Sequence, residues 1–254
     1  MKTLPCLLSV LALSLCAAPV LHAQASVDLT ASADTYVDQK NPASSYGIND
    51  NISIRGTGGG DNNRYSYLQF DISSIDEPIA TASLTLTVAF GASNRTASTI
   101  QLYGLVYDTT EDALALGLEE NTFTNDTAPW AAVRPANFSA PANATGLLST
   151  ADTPASGSFS GGSTVTFSST PALASYLESA RLDGLSIVTL VLIENTGQSA
   201  AITFASREND TYAGPTISIA TAPIPEPATA AALVGLGSLG LALILRRRTP
   251  PSDV

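Results

Sequence analysis

Tyr65, Tyr67 and Gln69 stand at alternate positions in one short stretch, and Gln101, Tyr103 and Tyr107 share a parity in another. On an extended chain, alternate residues face the same way. Flat phenol rings beside planar amides are what a sugar-binding face needs: the rings stack on pyranose faces and the amides meet the hydroxyls. An acidic sugar would also call for arginine, whose guanidinium can pair with a carboxylate through two parallel hydrogen bonds. Arg55, Arg64 and Arg207 are the candidates. The alternative is that these tyrosines are ordinary strand residues half-buried under a loop. A second chemistry is metal binding. Asp34, Asp38, Asp50 and Asp71 could supply oxygen to calcium, which takes about six to eight such ligands. The chain has no ordered calcium-loop pattern, so the alternative for these four is scattered loop aspartates. A calcium ion here would be structural and would take no part in a reaction.

Composition excludes more than it selects. The two cysteines, Cys6 and Cys16, and the single histidine, His22, all lie in the first 25 residues. Beyond them the chain has no thiol and no imidazole, which removes disulfides, cysteine zinc sites, Ser-His-Asp triads and Cys-His dyads. Four of the eleven basic residues are Lys2 and Arg246 to Arg248, so the middle of the chain keeps seven against most of the twenty-two acidic ones. That surface repels phosphate backbones, and nucleic acid is not an expected partner. The acidic charge suits solubility and divalent cations.

The elements that must position these residues are strands. From Arg64 to Ile72, Leu68, Phe70 and Ile72 face one way while Tyr65, Tyr67, Gln69 and Asp71 face the other. Leu84, Leu86, Val88 and Phe90 alternate with Ser83, Thr85, Thr87 and Ala89. This two-residue period predicts half-buried antiparallel strands. Further strands are expected around Ile52 and Ile54, over 100–107, 164–167, 201–205 and 215–220, and over the nearly continuous apolar run 185–193. One stretch reads as a helix: Pro171 in its first turn, Leu173, Tyr176, Leu177 and Ala180 at helical spacing, and Gly184 as its stop. Residues 56–63 read as a mobile loop, and 137–162, poor in large apolar side chains, as a long excursion. The expected fold is all-β, a jelly-roll-like antiparallel β-sandwich over residues 26–222 with one short helix.

Both ends read as targeting segments. Lys2, the apolar run 4–20 and Ala23-Gln24-Ala25 have the layout of a signal peptide, residues 1–25, cut before Ser26. Cys16 is a poor lipoprotein cysteine because Leu15 stands where a small residue is wanted. At the other end, Pro225-Glu226-Pro227 precedes the apolar run 228–245 and the cluster Arg246-Arg247-Arg248. Eighteen residues are enough for a helix to cross a bilayer, and the arginines suit its cytoplasmic side. This tail, 223–254, resembles the PEP-CTERM sorting signal of Gram-negative bacteria. The resemblance implies an exosortase-type membrane peptidase as partner, a membrane helix before processing, and delivery to the cell envelope, the cell surface or the extracellular matrix.

Several segments of the middle also fall in a familiar order: Ala33-Asp34-Thr35-Tyr36-Val37, Asn41-Pro42, Ser45-Tyr46-Gly47, the run from Tyr67 to Ser73, Phe204-Ala205-Ser206-Arg207-Glu208, and Gly214-Pro215-Thr216-Ile217. Together they resemble the DNRLRE domain family, which is similar to a class of carbohydrate-binding modules attached to alginate-degrading enzymes. Phe123 stands where that family has a tryptophan. The resemblance implies a jelly roll, binding of acidic polysaccharide and no catalysis.

The expected function is therefore polysaccharide binding by an exported, non-enzymatic β-sandwich. The alternatives are a structural surface or biofilm protein without a ligand site and, more remotely, a polysaccharide lyase using a tyrosine base. Two glycine patterns carry nothing. Gly235 to Gly240 spells a dinucleotide fingerprint inside the tail's apolar run, and Gly56 to Gly60 lacks a following helix or lysine. The sequons at Asn94 and Asn209 have little meaning in a bacterial context.

Overall fold

The structure is a computed structural model; it describes residues 25–56, 62–90, 95, 97–106, 145–153, 160–194 and 200–222. Residues Ala25–Ala222 form one compact unit. Its strands are β1 (Ser26–Thr30), β2 (Ala33–Asp38), β3 (Asn51–Ile54), β4 (Arg64–Asp71), β5 (Ile79–Phe90), β6 (Ser98–Gly104), β7 (Ser149–Thr153), β8 (Thr164–Phe167), β9 (Ile187–Glu194), β10 (Ile202–Ala205) and β11 (Thr216–Thr221). Helix α1 (Pro171–Leu182) lies between β8 and β9.

The pairing is nested. β6 pairs with β7, β5 with β8, β4 with β9 and β3 with β10, all antiparallel. The chain from β3 to β10 is thus one long hairpin rolled up on itself. Its strands fall into two sheets, one containing β3, β10, β5 and β8, the other β4, β9, β6 and β7. That is the jelly roll expected from the sequence. β11 and β1 extend the first sheet, and β2 extends the second beside β4.

The alternating residues explain the layering. Leu68 and Phe70 of β4, Leu84, Leu86 and Val88 of β5, Leu190 and Leu192 of β9, and Ile217 and Ile219 of β11 meet in one buried core between the sheets. Each such side chain contributes about 1.5–3 kcal/mol by leaving water. β9 is buried along nearly its whole length, as its unbroken apolar sequence predicts for a central strand.

Helix α1 seals one end of the core with Leu173, Leu177 and Ala180. Thr170 is its N-cap: the hydroxyl accepts from Leu173 N at 3.1 Å, and Pro171 follows where no amide hydrogen is needed. At the other end Gly184 takes φ +73°, a conformation that side chains resist. Gly184 N then reaches Arg181 O at 3.1 Å and Leu185 N reaches Ala180 O at 2.9 Å, a Schellman close. The Glu178 carboxylate holds Ile79 N at 2.9 Å and Arg181 Nη2 at 2.7 Å, tying the helix to the start of β5. Thr170→Ala removes the cap, and we expect a stability loss of about 1 kcal/mol, read as a melting temperature lower by about 2–4 °C. An unchanged melting temperature would mean the helix start is held by packing alone.

Several expectations need correction. β7 lies inside the stretch 137–162 expected to leave the sandwich. Its sequence, Ser-Thr-Ala-Asp-Thr, carries no large apolar residue, yet Ser149, Ala151 and Thr153 are buried. β1 and β2 are strands that the sequence pattern does not announce, and β2 is buried at every position. Strand β6 ends at Gly104, short of Tyr107. A Cβ at Gly104 would sit 2.5 Å from the Tyr176 ring, so only glycine lets the helix approach there. The centre of the expected mobile loop, residues 57–61, lies outside the described residues, as do Tyr107, the signal segment 1–24 and the tail from 223 onward. Among the described residues no helix is long and apolar enough to cross a membrane.

Candidate functional site

The site forms where the two sheets meet along β2 and β3. In register, Tyr36 lies opposite Ser66 and Asp38 opposite Arg64. Alternation puts Asp34, Tyr36 and Asp38 on one side of β2. Arg64 sits at the crossover between the sheets, which is closed by a backbone pair with Arg55 (Arg55 N to Arg64 O 3.0 Å, Arg64 N to Arg55 O 2.9 Å). The Ser66 hydroxyl reaches Ser53 O at 3.0 Å and stitches β4 to β3. A groove of about 460 Å³ opens there, lined by Tyr36, Ile48, Asn49, Asp50, Asn51, Ser53, Arg64 and Thr203.

Its walls are ordered by a short series of contacts. Tyr46 stacks on Tyr36 with ring centroids 4.1 Å apart and planes 19° from parallel. The Arg64 guanidinium lies 5.7 Å from the Tyr36 ring centre, a cation–π contact worth about 0.5–1 kcal/mol. Asp38 is fully engaged: it takes Arg64 Nε and Nη2, each at 3.1 Å, Lys40 N at 2.9 Å and Asn41 Nδ2 at 3.2 Å. Its side chain is 1% exposed against 28% for Arg64, so a buried carboxylate holds a half-open arginine in place. The segment leading into β3 is fastened by the segment that follows β10. Ser206 N and Asn209 Nδ2 both donate to Asp50 O, at 3.1 and 2.8 Å, and the Ser206 hydroxyl donates to Asn49 O at 2.7 Å. Burial raises the Tyr36 hydroxyl pKa, and the nearby Arg64 charge only partly opposes it.

The predicted residues distribute differently from the expectation. Tyr65, Tyr67 and Gln69 do share the outer face of β4, but that face is not open. Tyr67 is 1% exposed and joins Val37, Leu105, Val191 and Ile193 in a second apolar cluster, with Tyr65 and Tyr103 packed against it. Gln69 is buried as well. Burial pushes the Tyr65 pKa up to about 12 and raises that of Tyr103. In this arrangement the Tyr67 ring cannot stack on a sugar. Arg64 lies in the groove, whereas Arg207 lies beyond it. The Arg207 amide donates to Asp34 Oδ2 at 2.7 Å, and its guanidinium meets Glu208 and the Ser32 carbonyl.

The four aspartates are held in four different settings. Asp34 binds Arg207 N, Asp38 binds Arg64, Asp50 lines the groove, and Asp71 closes a turn at the far end of β4 by accepting Ser73 N at 2.9 Å. The Ser73 hydrogen bonds hold the Asp71 carboxyl below its usual range. Among the described residues no three His, Cys, Asp or Glu side chains converge on a metal position.

Tyr36 and Tyr46 escape a residue-by-residue reading of the sequence, and so do Asn49 and Asn51. The two tyrosines stand in the segments Ala33 to Val37 and Ser45 to Gly47 that carry the family resemblance, and that is their signal. A second hollow, about 330 Å³ between α1 and the ends of β6 and β9, is lined by Leu105, Val106, Leu148, Ala180, Leu185 and Val188. Among the described residues its lining is mostly apolar and holds no amide side chain, with Asp183, Ser175 and Ser179 among its polar members. Of the processing residues, Ala25 is placed: its carbonyl accepts Thr221 N at 3.0 Å. Ala23, Pro225, Glu226, Pro227 and Arg246 to Arg248 lie outside the described residues.

The fold is thus a jelly-roll β-sandwich with a polar groove at Tyr36, on which Tyr46 stacks. Residues 25–130 match the family model for carbohydrate-binding module family 96, a span that includes every groove residue except Thr203. Residues 223–248 match the PEP-CTERM protein-sorting motif, at the place the sequence indicated. No curated protein matches the chain. The first match implies carbohydrate binding; the second implies processing by an exosortase and bacterial export with sorting to the cell surface.

Proposed function

We propose that this protein is a non-catalytic polysaccharide-binding module, displayed at the surface or in the matrix of a Gram-negative cell, and that the groove at Tyr36, Tyr46 and Arg64 is its ligand site. One observation carries the reading: within the span that resembles a carbohydrate-binding module, Tyr36, backed by the stacked ring of Tyr46, lines an open groove together with an oriented arginine and two asparagines. The tyrosine chemistry supports binding without catalysis. A lyase needs a tyrosine that gives up its proton near neutral pH, and burial drives Tyr36 and Tyr65 the opposite way. Their hydroxyls remain donors.

The test is affinity electrophoresis of the full-length chain through gels containing neutral or acidic polysaccharides. Retardation by one polymer class is expected, and Tyr46→Ala should weaken it about two- to tenfold, because it removes the ring that holds the groove's Tyr36 in place and a stacked aromatic pair is worth about 0.5–1.5 kcal/mol. Retardation equal in wild type and Tyr46→Ala would remove the groove as the site. No retardation by any polymer would favour a purely structural surface protein. A structural calcium ion belongs to the same proposal, and parallel gels with calcium and with chelator test it. A lower melting temperature or lost retardation in chelator supports the ion, and no change removes it.

A further inference from the structure

We infer that the groove takes neutral glycan with adjacent hydroxyls, not uronate, and that Asp50 sets this preference. The inference rests on the groove being the carbohydrate site. Most of the lining offers uncharged hydrogen-bonding groups: the Tyr36 hydroxyl, the Asn49 and Asn51 amides, and the Ser53 and Thr203 hydroxyls. Ile48, 69% exposed, adds an apolar surface for a sugar's C–H face. Among the described residues two charged side chains line the groove, Arg64 and Asp50.

Arg64 is not free to receive a carboxylate. A guanidinium pairs bidentately through an edge formed by two neighbouring nitrogens. The Nε and Nη2 edge already faces Asp38 Oδ2, both at 3.1 Å, and Nη1 points at Ser53 Oγ at 3.3 Å. A uronate would have to displace Asp38, a carboxylate buried at 1% exposure that also holds Lys40 N and Asn41 Nδ2. Arg64 is thus a neutralised wall that can lend its remaining hydrogens to a hydroxyl.

Asp50 is the opposite case. Its backbone carbonyl is fixed by Ser206 and Asn209, while its carboxylate is exposed at the groove and has no partner among the described residues. Such a carboxylate accepts two hydrogen bonds from adjacent hydroxyls of a neutral sugar. To a uronate it presents like charge, which specificity by repulsion requires. The wider surface acts in the same direction, since residues 26–222 carry twenty Asp and Glu against seven Lys and Arg.

The experiment compares wild type, Asp50→Asn and Asp50→Ser as full-length chains in gels containing a neutral glucan, a neutral galactomannan or polygalacturonate, at low and high salt. Equal melting temperatures confirm that the variants fold. Wild type should be held by a neutral polymer, independently of salt, and should pass through polygalacturonate. Asp50→Asn and Asp50→Ser should lose about tenfold on the neutral polymer, the value of one charge-assisted hydrogen bond, and should gain retention on polygalacturonate. Wild type held more tightly by polygalacturonate, or an unchanged preference in both variants, would overturn the inference while leaving the groove as the site if Tyr46→Ala still weakens binding. Retention by none of the polymers would overturn the inference and the proposed function together.

Discussion

Arg95→Met should destabilise the domain by about 3–5 kcal/mol, because it strands a buried carboxylate. Arg95 and Glu194 form an ion pair inside the sandwich, with side chains 2% and 0% exposed. Arg95 Nη1 donates to Ala200 O at 2.6 Å and Glu194 Oε2 at 3.2 Å, and Nη2 donates to Ser98 Oγ at 2.5 Å. Ser98 in turn meets Thr153 at 2.8 Å, across the β6–β7 pair, and Gly56 N donates to Glu194 Oε2 at 3.3 Å. The network joins the end of β9 to the β6–β7 hairpin and to the chain leaving β3. Attraction in such a place is strong, but so is the cost of taking both ions out of water, so the intact pair adds little net stability. Removing one partner is different, since the desolvation cost stays and the compensation goes. Glu194→Gln should cost less than Arg95→Met, because an amide can still accept from Gly56 N and from the guanidinium. The double variant Arg95→Met with Glu194→Met should recover much of the loss. Urea unfolding of wild type and the three variants checks the ordering. A single Arg95→Met change worth under about 1 kcal/mol would show the pair to be reachable by water.

The parts of this fold that can be read from sequence are those in which one face of a strand is apolar and the other polar. β4, β5 and β8 obey that rule over most of their length, and their side chains enter the core as the alternation predicts, except at the end of β5, where Phe90 is exposed and Ala89 is buried. Helix α1 is legible because proline, apolar spacing and glycine coincide in twelve residues and their flank. β2 and β7 are not, for two physical reasons. β2 is buried on both sides, and its buried polar residues, Asp34, Thr35 and Asp38, erase the alternation. β7 buries only Ser149, Ala151 and Thr153, which are too small to register as a hydrophobic period. The same limit misplaces the site. Alternation correctly puts Tyr65, Tyr67 and Gln69 on one face of β4, but period two says nothing of whether that face is covered, and Tyr67 is buried there. The groove depends on a contact between Tyr36 and Tyr46, ten positions apart and in different local settings, which no local pattern encodes. Arg64 stands out in the sequence by its charge alone. Only the fold shows that Asp38, a candidate calcium ligand by residue type, already holds it.

Phe204→Ala should combine a large stability loss with weakened binding. Phe204 is completely buried on β10, a four-residue strand that pairs with β3 on one side and β5 on the other. The register against β5 shifts between Thr203 and Phe204, so the strand has few regular ladder bonds and depends on its side chains to stay in place. Truncating a buried phenylalanine costs about 3–5 kcal/mol, part lost transfer energy and part cavity. For a domain of this size that lowers the melting temperature by roughly 6–20 °C. The groove feels the change through the segment just after β10. Ala205 leads directly to Ser206, whose amide and hydroxyl hold Asp50 O and Asn49 O, and three residues on, Asn209 reaches Asp50 O and Asn51 Oδ1. A β10 that relaxes into the cavity carries those anchors with it. Phe167→Ala is the control. Phe167 is equally buried, but it lies on β8, where β5 separates it from β10 and β3. Both variants should lose about the same stability. At a temperature well below either melting transition, Phe204→Ala should bind the retained polysaccharide several-fold more weakly and Phe167→Ala should bind as wild type does. Equal weakening in the two would mean that affinity follows global stability, and that the Ser206 anchors do not shape the groove.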